Sequence, residues 1–347
     1  MLIQNQKHHQ NPMLSSPILV SFTLILSLPI LLFLSPQTLP SPFTSDADDL
    51  YLFHRASAAR ATTTNPKPKI AFLFLTNSNL TFAPLWEKFF TGHHHLYNIY
   101  IHADPSSAVV SPGGVFHRRF ITSKKTYRSS PTLISATRRL LASAVLDDPL
   151  NEYFALISQH CIPLFSFRFV YNSLFKNRLA SLAGSSFRYR SYIEIISDEL
   201  NLYDRYTARG ENVMLPEVTF DAFRVGSQFF VLTRRHAVVV LRDRRLWRKF
   251  RLPCLTEEPC YPEEHYFPTL LSMEDPNGCT GFTLTRVNWT GCWDGHPHLY
   301  TPPEVSPELV RRLRESNSSY SYLFARKFSP ECLTPLMDIA DDVIFRD

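Results

Sequence analysis

The stretch Lys69–Thr76 reads KIAFLFLT, with six successive apolar residues from Ile70 to Leu75. A strand with one wet face alternates apolar and polar side chains, because successive residues point to opposite faces. This run does not alternate, so it predicts a strand covered on both faces, as in a parallel sheet layered with helices. The next apolar segment, Ala83–Phe90, opens near Pro84 and reads as a helix. Tyr97–Asp104 (YNIYIHAD) then alternates and stops at Pro105. Strand, helix, strand is the βαβ unit of an α/β domain.

Further along, Ser130 and Pro131 supply an N-cap and a first helical residue. Leu133, Ile134, Leu140, Leu141, Ala144 and Val145 make one apolar stripe at helical spacing, and Arg138 and Arg139 fall off it, so both are expected in solvent. Tyr153–Ser158 predicts another buried strand, ending at Gln159-His160-Cys161, where open α/β sheets carry ligand-facing groups. Gln228–Leu232 reads as a strand feeding one helix over Arg235–Lys249, whose basic run predicts a solvated face. These elements describe one α/β domain over 68–347. The 44% apolar content and 27 phenylalanines suffice for its core, and 10 glycines exclude a glycine-rich repeat. The formal charge of +5 is spread along the chain without interleaved aromatics, so no nucleic-acid partner is expected.

The segment PILVSFTLILSLPILLFL, Pro17–Leu34, carries no charge and reaches the length that spans a bilayer. It lacks an Ala-x-Ala cleavage site and is preceded by Lys7. The expectation is a cytosolic tail over 1–13, a signal-anchor over 14–34 and a luminal domain, that is, a single-pass type II protein of the Golgi membrane. Residues 35–67, rich in Pro, Ser, Thr and Ala, predict a stem, on which Leu50–Phe53 is the one cluster able to dock. Six cysteines follow the anchor, and a luminal setting allows them to pair. Cys254, Cys260 and Cys279 are the nearest local set, with a spacing poor for zinc. Sequons stand at Asn79, Asn288 and Asn317.

Chemistry concentrates in CYPEEHYFPTL, Cys260–Leu270. Glu263 and Glu264 are neighbours and point to different sides of their element, so they cannot flank one bond as a glycosidase pair does. A helix start after Pro262 favours both carboxylates there, and leaves Glu263 as helix-start or solvent-facing company. One glutamate in an apolar pocket has a raised proton affinity and can serve as general base, with His265 to orient it. Other motifs are weaker. No G-x-S-x-G is present, and His93-His94-His95 cannot all face one ion. Asp46-Ala47-Asp48 has a metal-binding form but lies in the stem, and Asp104 stands alone at a strand end, so no metal site is expected. Arg326 and Lys327 lie in LFARKF, an apolar frame in which cations call for an anionic partner, either a structural carboxylate or a substrate phosphate.

Seven ordered blocks (IAFLFLT, YIHADP, RSSPTLISATRRLLASAVLDD, YFALISQHCIPL, GSQFFVLTRRHA, CYPEEHYFPTL and LFARKFSPECL) resemble the core-2/I-branching β-1,6-N-acetylglucosaminyltransferase-like family, glycosyltransferase family 14, and its plant brittle-culm-type members in particular. The resemblance covers nearly all of 68–345. It implies a GT-A-like, Rossmann-type domain and inverting, metal-independent transfer of GlcNAc, GlcA or a related sugar from a UDP-sugar, with no cofactor. The implied acceptor is a glycan or glycoprotein, as in cell-wall or arabinogalactan-type glycan synthesis. By the same resemblance Glu264 is the base, Lys327 binds the diphosphate and Asp104 contacts the nucleotide. Tyr127 is the residue that stacks on the nucleotide, although a shift of one position selects Arg128. A further diphosphate-binding arginine of the animal enzymes has no counterpart here, where the chain reads His298-Leu299-Tyr300-Thr301-Pro302. Either Arg326 replaces it or the donor is held differently. The competing reading is a non-catalytic, glycan-binding or scaffold protein that keeps the fold.

Overall fold

In the computed structural model, KIAFLFLT is β1, Lys69–Thr76, buried from Ile70 to Thr76. The structure describes residues 42–59, 67–175, 189–255, 260–292 and 295–347. Asp49–Asp347 form one compact unit, and Met1–Asp48 are assigned to another, of which only the start of a helix, Pro42–Ala58, is described.

β1 pairs in parallel with β2, Tyr97–Ala103, on one side and with β3, Asn151–Ser158, on the other. β4 is the short strand Ile162–Pro163, and β5 and β6 are Ser191–Glu194 and Val231–Thr233. β7 is Cys279–Gly281, β8 Thr285–Val287 and β9 Phe324–Arg326. The main sheet runs β2-β1-β3-β6-β5-β7 and is mixed, because β6 is antiparallel to both β3 and β5. A second sheet runs β4-β9-β8. A mixed α/β sheet with a parallel half fits the GT-A-like expectation.

Period-two geometry divides β1 between two cores. Ile70, Phe72 and Phe74 enter one apolar cluster, whereas Ala71, Leu73 and Leu75 enter the other. The first is aromatic: Phe72 meets Trp86, Phe89 and Phe90, all from the helix Ala83–Phe90, edge to face. The second holds the helix Pro131–Asp147, whose N-cap Ser130 accepts from the N–H of Thr132.

Three expectations need correction. Arg138 and Arg139 are buried, not in solvent. The Arg138 guanidinium lies over the rings of Phe53 and Trp247 and donates to the carbonyls of Leu241 and Asp243. Arg139 ion-pairs with Asp49, which also holds Lys124 at 2.9 Å. The cover comes from residues assigned to the stem, because Asp49–Ala58 are helical and bury Phe53 and Ala56 in the second core. Periodicity of one helix cannot reveal that a distant segment covers its polar face. Second, the helix expected over Arg235–Lys249 is two, Arg234–Arg242 and Arg245–Phe250. Asp243 breaks it by accepting from the N–H groups of Arg245, Leu246 and Trp247.

The third correction concerns location. The anchor expected over 14–34 lies outside the described residues, and among the described residues no helix is long and apolar enough to cross a membrane. The single-pass Golgi-membrane assignment is accordingly withdrawn.

Candidate active site

A cleft of about 820 Å³ opens beside the carboxyl ends of β1 and β3, where Thr76 and Ser158 line it. This is where open α/β sheets receive ligands. Glu264, Tyr127, Arg326 and Lys327 all line this cleft, although they are spread over two hundred residues of sequence.

Glu264 sits in the first turn of the helix Pro262–Glu274. The chain enters that helix through Tyr261 in the left-handed region (φ 41°), and a Cys254–Cys260 disulfide closes the preceding loop. Cys279, the third cysteine of the expected local set, stays free and buried, its Sγ 3.9 Å from Nδ1 of His236. The Glu264 carbonyl accepts from the N–H of Gly226 at 2.9 Å, and Glu194 Oε2 accepts from the N–H of Ser227. Gly226 is needed at this crossing. A Cβ there would lie 2.8 Å from the carbonyl carbon of Glu194 and nearer still to its oxygen. Burial pushes the Glu264 carboxyl above its ordinary pKa, and Glu199 and Glu194 add to that push. Arg205, 3.3 Å away, and Arg326 oppose it. The result is a carboxylate of raised basicity facing an 820 Å³ cleft.

Glu263 and His265 depart from their expected roles. Glu263 is only 5% exposed, and burial pushes its carboxyl up to about 8, against the pull of Ser129 N–H and Arg128. The sequence shows it as solvent-facing because prolines and adjacent charges normally mark an exposed helix start, yet this helix starts inside the domain. His265 does not orient Glu264. It is wholly buried, stacks on Phe223 at 4.6 Å and donates from Nδ1 to the carbonyl of Arg224.

The cations come from β9 and the residue after it. The Arg326 guanidinium lies over the Phe229 ring at 4.4 Å, and burial depresses its pKa, opposed by Cys161 and Glu264. Burial also lowers the Lys327 ammonium, with help from Arg326 and from Arg128. The chain is turned toward the cleft here by bonds of Phe328 to His160, directly after β3. Among the described residues, neither cation has a carboxylate within ion-pair distance.

Asp104 does not line the cleft. Its carboxylate accepts from the N–H and hydroxyl of Ser106 and of Thr126, and these bonds outweigh burial and hold it well below the usual carboxylate range. Thr126 is next to Tyr127, so Asp104 acts on the cleft through that segment. Tyr127 is 54% exposed, with the Lys125 ammonium 4.9 Å over its ring. Arg205 is a cleft residue that motif reading left aside, because a lone arginine in a short helix has no local signature, and Arg128, offered in sequence only as the shifted alternative to Tyr127, lines the cleft beside it. Of the sequons, Asn79 and Asn317 are exposed, and the side chain of Asn288 accepts from the N–H of Thr290. Among the described residues no three metal-ligating side chains cluster.

A basic carboxylate and cations with no carboxylate at ion-pair distance among the described residues share a cleft at the carboxyl ends of parallel strands, an arrangement that suits a group transferase acting on an anionic donor. The chain belongs to the Core-2/I-branching enzyme family, whose model matches residues 70–314, and is thereby a glycosyltransferase by family. It is similar to Glycosyltransferase BC10 of Oryza sativa subsp. japonica, with 27% identity over 341 residues that cover 82% of this chain and 80% of that one.

Proposed function

We propose that the chain is an inverting glycosyltransferase that moves a sugar from a UDP-sugar to a hydroxyl of a glycan or glycoprotein acceptor without a metal ion. GlcNAc, GlcA and related sugars are the donor class. The observation that carries this reading is one cleft holding both Glu264, made basic by burial, and the cations Arg326 and Lys327, neither within ion-pair distance of a carboxylate among the described residues.

The acceptor hydroxyl gives its proton to the Glu264 carboxylate as its oxygen bonds to the anomeric carbon. The bond from that carbon to the β-phosphate oxygen breaks, and its electron pair leaves with UDP. Lys327 and Arg326 stabilise the charge that grows on the departing diphosphate, the electrostatic task a divalent ion performs in other transferases. On this reading Arg205, which ion-pairs with Glu264, and Glu194, which lines the same cleft, belong to the acceptor side.

Glu264→Gln removes the proton acceptor and keeps the shape. Transfer should fall by about 10²–10⁴-fold, with UDP binding intact in calorimetric titration. A variant as active as the parent on a working donor and acceptor pair refutes the base. Activity abolished by EDTA and restored by a divalent ion refutes the cation account.

A further inference from the structure

Arg128 also faces the cleft, and it comes from the loop between β2 and the helix Pro131–Asp147. That loop is pinned near its end by a buried carboxylate. Asp104, which follows β2, takes hydrogen bonds from Thr126 N–H at 2.8 Å and Thr126 Oγ1 at 2.7 Å. It is 3% exposed, and its charge would be costly there without such partners. The two residues after Thr126, Tyr127 and Arg128, are exposed on the cleft.

The Arg128 guanidinium reaches Nε2 of His296 at 2.7 Å and the carbonyl of Gly295 at 3.3 Å. Among the described residues no carboxylate lies within ion-pair distance of it. It is nevertheless close enough to Lys327 for the two charges to repel, one of the reasons the ammonium is held below its ordinary value. Two cations on one cleft, neither ion-paired among the described residues, cost Coulomb energy that an anionic ligand returns. Arg326 adds its charge to the site, but its guanidinium packs over the Phe229 ring and leaves the second contact on the diphosphate to another cation.

From this geometry we infer that Arg128 is the second phosphate-binding cation of the site, gripping the donor diphosphate opposite Lys327, with Asp104 as the positioning residue of its loop. The assignment rests on the UDP-sugar reading above. A planar guanidinium can take two phosphate oxygens at once, a geometry that lysine lacks.

The test is calorimetric titration of the full chain with UDP and with uridine, for the parent and for Arg128→Ala and Arg128→Lys. Arg128→Ala should weaken UDP by about tenfold or more and change uridine by less than about twofold, with Arg128→Lys in between. Equal losses for UDP and uridine would place Arg128 at the nucleoside and overturn the assignment. An unchanged UDP affinity in Arg128→Ala would overturn it too, while leaving the donor reading standing. A parent chain that binds no UDP overturns both. Because Arg128 is exposed, the thermal unfolding of both variants should match the parent, and the conservative lysine variant keeps the comparison open if alanine disturbs the loop.

Discussion

Gly226→Ala adds one methyl group at the point where the strand bearing Glu194 passes the helix bearing Glu264. The new Cβ would stand 2.8 Å from the Glu194 carbonyl carbon and closer to its oxygen, whereas real Cβ atoms essentially never come within 3.0 Å of such neighbours. The obstacle is backbone, so no side-chain rotation relieves it. The two segments must part by about 1 Å, and overpacking of this kind costs about 1–3 kcal/mol of stability. The same movement strains the Gly226 N–H bond to the Glu264 carbonyl, which seats the first turn of the base-bearing helix. Misplacement of a catalytic group by about 1 Å costs about 100-fold in rate, or about 2.7 kcal/mol of barrier. The assay is kcat/KM for transfer from a UDP-sugar, per folded molecule, alongside the midpoint of thermal unfolding. Gly92→Ala is the control: its φ of 81° strains any side chain, but nothing lies within 4 Å, so stability should fall with the turnover of folded molecules preserved. If Gly226→Ala keeps its rate within about threefold while Gly92→Ala behaves as stated, the close crossing does not position Glu264.

Phe53→Ala should cost about 3–5 kcal/mol in denaturant unfolding, because the ring is 5% exposed and covers Arg138, whereas Tyr51→Ala, at a residue 65% exposed, should cost less than about 0.5 kcal/mol. Equal midpoints for the two would mean that Asp49–Ala58 do not belong to the folded domain. Arg205→Leu should move the acidic limb of the kcat/KM profile to higher pH, since Arg205 holds the Glu264 carboxyl down against burial and its loss lets that value rise. A limb that moves to lower pH contradicts the assignment of Glu264 as base. Burial pushes His265 down to about 3, so it stays neutral in the folded chain while the unfolded chain binds a proton below its ordinary value of 6.5. Stability is therefore lost as pH falls through 6.5, by about 2 kcal/mol at pH 5, and His265→Phe should remove that part of the slope between urea unfolding at pH 7 and at pH 5.

Much of the fold was legible in local pattern. The unbroken apolar runs of Lys69–Thr76 and Tyr153–Ser158 could belong only to strands covered on both sides, and both are central strands. Ser130 and Pro131 announced their helix by chemistry that acts within one turn. The places of Glu264 and Lys327 on the cleft were legible in a motif and an apolar frame, because each signal lies within a few residues. What stayed hidden depended on partners distant in sequence. Arg138 and Arg139 look solvated until Phe53 and Asp49 cover them, and those partners lie in a stretch whose Pro, Ser and Thr content suggests a stem. Glu263 looks like an outward twin of Glu264, and only its burial in the folded domain shows that it points inward. Asp104 marks a strand end in sequence, and only the fold shows its carboxylate occupied by Thr126. By itself, then, the sequence determined the first strands and helices, the family and the candidate base, all of which rest on periodicity or contiguous motifs. Tertiary structure alone decided which charges share the cleft, because electrostatic partnership depends on distance in space and Arg128, Glu264 and Lys327 are neighbours only after the chain has folded.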